Sequence, residues 1–91
     1  MASICIINGV VVYMYTENAA KHHSPHVHIR FAGETASLSI PDGEVLEMSE
    51  GFDRKKLRNV QTWIDYRAED LMADWQLACE GKKPLMILPL S

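Results

Sequence analysis

The fold is decided by residues 26–40, which read His26-Val27-His28-Ile29-Arg30-Phe31-Ala32-Gly33-Glu34-Thr35-Ala36-Ser37-Leu38-Ser39-Ile40. Polar and apolar side chains alternate along residues 26–31, and a period of two is typical of a strand with one buried face. A turn is predicted at Ala32-Gly33-Glu34-Thr35, and residues 36–40 predict a second strand that returns beside the first. The stretch therefore predicts an antiparallel hairpin.

A second hairpin is predicted upstream, over residues 3–16. Its turn is the pair Asn8-Gly9, which favours a type I′ turn because both central residues of that turn need positive φ. β-Branched and aromatic residues dominate the runs on either side. Downstream, Pro41-Asp42-Gly43 predicts another turn and residues 44–48 a further short strand. The N-terminal half therefore predicts three to five antiparallel strands with one face that needs cover.

That cover is predicted over residues 53–81, where apolar residues recur at spacings of three, four and seven. Asp53 is the expected N-cap, and Gly81 followed by Pro84 predicts the end. A single helix of this length would run about 40 Å, longer than the roughly 30 Å expected for the diameter of the domain. We therefore expect either one bent helix or two helices, with the break near Tyr66 to Glu69.

Chain length sets the domain organisation. Ninety-one residues suffice for a single domain, 1–91, with its own core. The chain divides into a β-rich part, 1–50, a helical part, 53–81, and an extended apolar tail, 84–90. Such a tail either returns to the sheet as a last strand or lies in a groove of a partner chain. The expected fold class is α+β, a small antiparallel β-sheet of three to five strands covered by one bent or two α-helices.

Composition and charge exclude several classes of protein. A net charge of -3 is incompatible with a broadly basic nucleic-acid surface and leaves room only for a local patch. No segment approaches the roughly 20 apolar residues of a membrane span, and the opening residues lack the basic n-region of a signal peptide. Cys5 and Cys79 imply neither a zinc motif nor a disulfide framework. We therefore expect a cytoplasmic protein that has no contact with membranes.

Functional residues are expected in the histidine cluster, because all four histidines lie between positions 22 and 30. On an extended strand His26, His28 and Arg30 share one face. Cleavage of RNA through its own 2′-OH needs a proton acceptor, a proton donor and a cation for the phosphorane. These three side chains are of the right types to be catalytic, with His22 or Tyr15 as helpers. Such a mechanism uses no cofactor.

Two other interpretations of the cluster stay open. His22, His26 and His28 could together bind Zn²⁺ or Ni²⁺, because His-x-His on a strand offers two imidazoles and the preceding loop offers a third. The histidines could instead be structural, with hydrogen bonds to backbone carbonyls of that loop.

The start of the helical segment carries the basic run Arg54-Lys55-Lys56 with Arg58, in which Arg54, Lys55 and Arg58 are the candidate substrate-binding residues. It is either a solvated helix face or an edge that binds the phosphates of a substrate. Trp63 and Trp75 fit core or interface positions better than a base-stacking platform.

Several short motifs carry a resemblance to a known family: Met14-Tyr15, Pro25-His26-Val27-His28, Gly33-Glu34, the helical half with Trp63 and Trp75, and Pro89-Leu90. Over nearly its whole length the chain resembles a bacterial family of short proteins, domain of unknown function number four thousand one hundred and sixty. The resemblance matches His22, His26 and His28 to the histidines of the family. It matches Glu34 to the acidic residue of the family turn.

The resemblance also implies a partner. Such proteins are often encoded beside a second small protein, and the pair looks like a toxin–antitoxin module. This implies the toxin component of a type II toxin–antitoxin system, neutralised by a small protein antitoxin and, if catalytic, acting on RNA. The alternative is a non-enzymatic protein-interaction or metal-binding module, and a homo-oligomer through the apolar tail is compatible with either.

Overall fold

Within the residues that the computed structural model describes, 2–15 and 24–89, five strands form an antiparallel sheet. The sheet order is the chain order, so each strand pairs with its neighbour in sequence. This confirms the expected α+β class, with five strands where three to five were predicted. The strands are β1 (Ala2–Ile7), β2 (Val10–Met14), β3 (His26–Phe31), β4 (Glu34–Ser39) and β5 (Val45–Met48).

Two hairpins are closed by two-residue turns. Asn8 and Gly9 have φ of 49° and 86°, which confirms the type I′ turn between β1 and β2. Ala32 and Gly33 have φ of 52° and 81° and form a second turn of the same kind. The predicted turn over Ala32–Thr35 was therefore too long, and β4 begins two residues before position 36. Ala rarely adopts positive φ, so this pair does not resemble a hairpin turn in the sequence.

The helical half contains two helices, α1 (Arg54–Tyr66) and α2 (Ala68–Cys79). They are separated at Arg67, which confirms the second of the two expected arrangements and the place of the break. Asp53 is the N-cap of α1, and its Oδ1 accepts hydrogen bonds from the backbone N–H groups of Lys55 (2.9 Å) and Lys56 (3.0 Å). No described helix is long and apolar enough to cross a membrane.

The α2 helix ends in a Schellman motif at Gly81, whose φ is 75°. The N–H of Lys82 donates to the carbonyl of Leu77 (2.8 Å), and the N–H of Gly81 donates to that of Ala78 (3.0 Å). Both bonds satisfy carbonyls that the helix leaves open at its end.

Both helices pack on one face of the sheet and form the core with it. Val27 and Ile29 of β3 are fully buried there, and Trp63 of α1 and Leu71 of α2 are their helical counterparts. The other face, which we call the open face, carries the alternate residues of each strand. It is exposed at Arg30, among others, so the side chains of β3 alternate between core and solvent as predicted.

The apolar tail, described as far as Pro89, forms no strand. The N–H of Ile87 donates to the carbonyl of Ile4 on β1 (2.8 Å), and the indole N–H of Trp63 donates to the carbonyl of Leu88 (2.9 Å). The N–H of Leu85 is held by the buried carboxyl group of Asp74 (2.9 Å). The tail therefore lies along the β1 edge against its own helices rather than adding a last strand.

Candidate functional site

Strand register lines up four side chains across the open face. Tyr13 of β2 pairs with His28 of β3, His28 pairs with Ser37 of β4, and Ser37 pairs with Glu47 of β5. Residues that pair directly across neighbouring strands place their side chains on the same face. We call these four residues the central row. It joins a phenol, an imidazole, a hydroxyl and a carboxyl group in one line.

His28 is enclosed by aromatic rings. Its imidazole stacks on Tyr13, with ring centroids 5.4 Å apart and an interplanar angle of 19°, and meets Tyr15 edge-on at 4.7 Å. Burial lowers the pKa of His28, the nearby His26 lowers it further, and Glu47 acts in the opposite direction. His28 is therefore neutral at pH 7 and has a lone pair that can accept a proton.

His26 lies beside it, with ring centroids 5.0 Å apart. Its Nδ1 is 2.8 Å from the carbonyl oxygen of Ser24. Because a carbonyl only accepts, Nδ1–H is the donor. The ring also contacts Trp75 of α2, at 5.0 Å between centroids. A hydrogen bond to a backbone carbonyl is what we expect if this histidine has a structural role. The bond also fixes the orientation of the ring beside His28.

Arg30 completes the predicted trio on the open face. Its guanidinium carbon lies 5.8 Å from the centre of the Tyr13 ring, within the range of a cation–π contact. The side chain is exposed, so a phosphate oxygen can reach it. His26 and Arg30 thus lie on either side of His28 along β3, and Arg30 contacts the same tyrosine, Tyr13, on which His28 stacks.

An open depression of about 480 Å³ lies next to His28. Ser49 is one of its lining residues, and its Oγ accepts a hydrogen bond from the backbone N–H of Thr35 (3.0 Å). Three members of the central row were not among the residues proposed from the sequence: Tyr13, Ser37 and Glu47. The lining includes Tyr13, Tyr15, His28, Ser37, Glu47 and Ser49.

The basic group of α1 lies elsewhere. Arg54, Lys55 and Arg58 are exposed on the helix layer, on the opposite side of the sheet from His28. Their neighbour Lys56 donates from Nζ to the carbonyl of Asn8 (2.8 Å) and lies over the ring of Phe31 (5.1 Å). A substrate that contacts both His28 and this group would have to pass around the end of the sheet.

The metal interpretation rests partly on His22, which lies outside the described residues. Across 2–15 and 24–89, no group of three or more His, Cys, Asp or Glu side chains is arranged to hold a metal ion. Glu34 lies on the side of Ala36 and Leu38, away from His28, because side chains alternate along β4. Its carboxyl group lies close to Gly51, where an added Cβ would be 2.9 Å from Glu34 Oε1.

Comparison with known proteins gives one match. Residues 9–76 match the family described as a domain of unknown function, DUF4160. The match spans β2 to β5, α1 and most of α2, and so includes the whole central row. No curated protein and no solved structure matches the chain. Because the match covers most of its length, the chain belongs to the DUF4160 family.

Proposed function

We propose that this chain is the toxin component of a type II toxin–antitoxin pair, that it cleaves RNA in the cytoplasm, and that a small protein antitoxin neutralises it. One observation supports the RNA part most directly. A neutral, half-buried imidazole, His28, stands beside a second imidazole, His26, and an exposed guanidinium, Arg30, on an open sheet face. The toxin part is supported by the pairing that the family resemblance implies.

The proposed reaction uses the 2′-OH of the RNA as nucleophile. His28 accepts the proton of this hydroxyl while the 2′-oxygen forms a bond to phosphorus. Protonated His26 donates a proton to the 5′-oxygen as the P–O5′ bond breaks. Arg30 stabilises the negative charge on the phosphorane oxygens. The products are a 2′,3′-cyclic phosphate and a 5′-hydroxyl, and no metal ion or cofactor takes part.

The test begins with growth of a bacterial host on induction of the parent chain, His28→Ala and His23→Ala. The last is the matched control, since it removes a histidine of the same cluster that the proposal does not use. We expect arrest by the parent and by His23→Ala, no arrest by His28→Ala, and rescue of the parent by co-expression of the neighbouring gene.

The purified chain should then cleave RNA in the presence of EDTA and leave cyclic phosphate ends. Loss of His28 should reduce the rate by about 10²-fold or more, the usual contribution of a general base. Growth arrest by His28→Ala that equals that of the parent would exclude the catalytic role of His28.

A second candidate is a non-enzymatic interaction or metal-binding module. The hydrogen bond from His26 to Ser24 and its contact with Trp75 favour it, because both give this histidine a structural role. If the module binds a metal, Zn²⁺ or Ni²⁺ should raise the thermal midpoint of the parent chain, since a ligand that binds the native state stabilises it. His28→Ala should abolish that rise, and an unchanged midpoint in the parent would exclude the metal.

A further inference from the structure

The depression beside His28 differs in chemistry from the rest of the open face. Glu47, on β5, contributes a carboxylate to its wall. A carboxylate only accepts hydrogen bonds, and it repels the phosphates of a nucleic acid. The depression therefore suits a neutral group that donates hydrogen bonds, whereas the exposed Arg30 suits the phosphate.

The walls also suit a flat ring. Tyr15 is 47% exposed and presents an aromatic surface on which a nucleobase can stack. A volume of about 480 Å³ lies within the usual range of small-ligand sites. The charge of Glu47 acts on His28, so the carboxylate and the proposed proton acceptor belong to one site.

We infer that this depression binds the base next to the scissile phosphate and that it selects guanine. The inference rests on the proposed action on RNA. The Watson–Crick edge of guanine has two adjacent donors, N1–H and the N2 amino group, which can pair with the two oxygens of Glu47. Adenine, cytosine and uracil each have a single donor site on that edge, next to an acceptor that would face the second oxygen. Guanine is thus the base that satisfies both oxygens.

Binding can be measured without cleavage. Short 2′-fluoro oligouridines lack the attacking hydroxyl, and one central residue can be guanine, inosine or adenine. We expect the guanine oligonucleotide to bind about tenfold more tightly than the inosine one, because inosine lacks the N2 amino group and so loses one charge-assisted hydrogen bond. Fluorescence anisotropy at fixed salt gives the dissociation constants.

Glu47→Gln tests the carboxylate directly. An amide offers one acceptor and one donor, so this variant should lose the preference for guanine over inosine while it still binds oligouridine. Glu44→Gln is the matched control, because it removes the same charge from an exposed residue that does not line the depression. It should keep the preference of the parent.

The outcomes separate this inference from the proposed function. Equal binding of the three oligonucleotides by the parent, or an unchanged guanine preference in Glu47→Gln, would overturn guanine selection and leave the action on RNA standing. Absence of binding to every oligonucleotide would overturn both.

Discussion

Burial of His28 between two tyrosine rings couples its protonation to folding. Its pKa in the unfolded chain is about 6.5, and burial lowers it in the folded chain. Between these two pKa values the unfolded chain binds more protons than the folded chain, so the free energy of unfolding rises with pH. The contribution is fully present above about pH 6.5 and is lost as the pH falls through the folded pKa.

We therefore expect His28→Gln to have a flatter dependence of unfolding free energy on pH than the parent below neutrality. Urea denaturation followed by tryptophan fluorescence at several pH values measures it. Both proteins retain the other histidines, so their difference reports His28 together with its coupling to His26. Equal slopes would mean that the ring is not held neutral.

The members of the site differ in how far they could be predicted from the sequence. The face shared by His26, His28 and Arg30 follows from alternation within one strand. Tyr13 was missed because its position opposite His28 depends on the register between β2 and β3. These strands are joined by a long segment, not by a tight turn that would set the register.

At the level of elements, the turn between β3 and β4 is strained at Ala32. This residue has φ of 52°, in a region that L-residues with a Cβ avoid and that Asn tolerates better. Ala32→Asn recreates the Asn-Gly pair of the first hairpin. We expect it to raise the free energy of unfolding by about 0.5–1 kcal/mol.

Gly33→Ala is the opposite change at the same turn. Its φ is 81° and an added Cβ would meet no atom within 4 Å, so any loss of stability reports backbone strain alone. Urea denaturation of both variants checks the pair. If Ala32→Asn were no more stable than the parent, strain at this turn would be negligible.

The same turn explains why β4 was predicted to begin two residues too late. The break between the two helices, in contrast, was predicted correctly. Once Ala32-Gly33 is recognised as a two-residue turn, the pairing of His28 with Ser37 follows by counting. The break at Arg67 was anticipated from length alone, without a Gly or Pro to mark it. The structure adds a contact that no local pattern encodes, since Arg67 Nε donates to the carbonyl of Leu88 (3.2 Å).

At the level of the whole molecule, the tail connects the helices to the edge of the sheet. Ile87 is buried in the common core, whereas its neighbour Leu88 is 73% exposed. We expect Ile87→Ala to lower the free energy of unfolding by about 2 kcal/mol, the low end for truncation of a buried aliphatic side chain. Leu88→Ala should change it by less than about 0.5 kcal/mol.

Urea denaturation of the two variants measures this difference. The comparison is matched, because both changes truncate an aliphatic side chain in the same segment. Equal effects would mean that the tail does not pack against β1 and the helices in solution.

The agreement between sheet order and chain order bears on how the protein is made. Each strand can pair with the one synthesised just before it, so strand pairing proceeds without waiting for a remote segment. The helices follow the strands along the chain, and the apolar side of the sheet stays uncovered until they leave the ribosome. During synthesis, the interval between the emergence of Met48 and that of Ala78 is therefore the period in which the nascent chain is most exposed to aggregation and to chaperones.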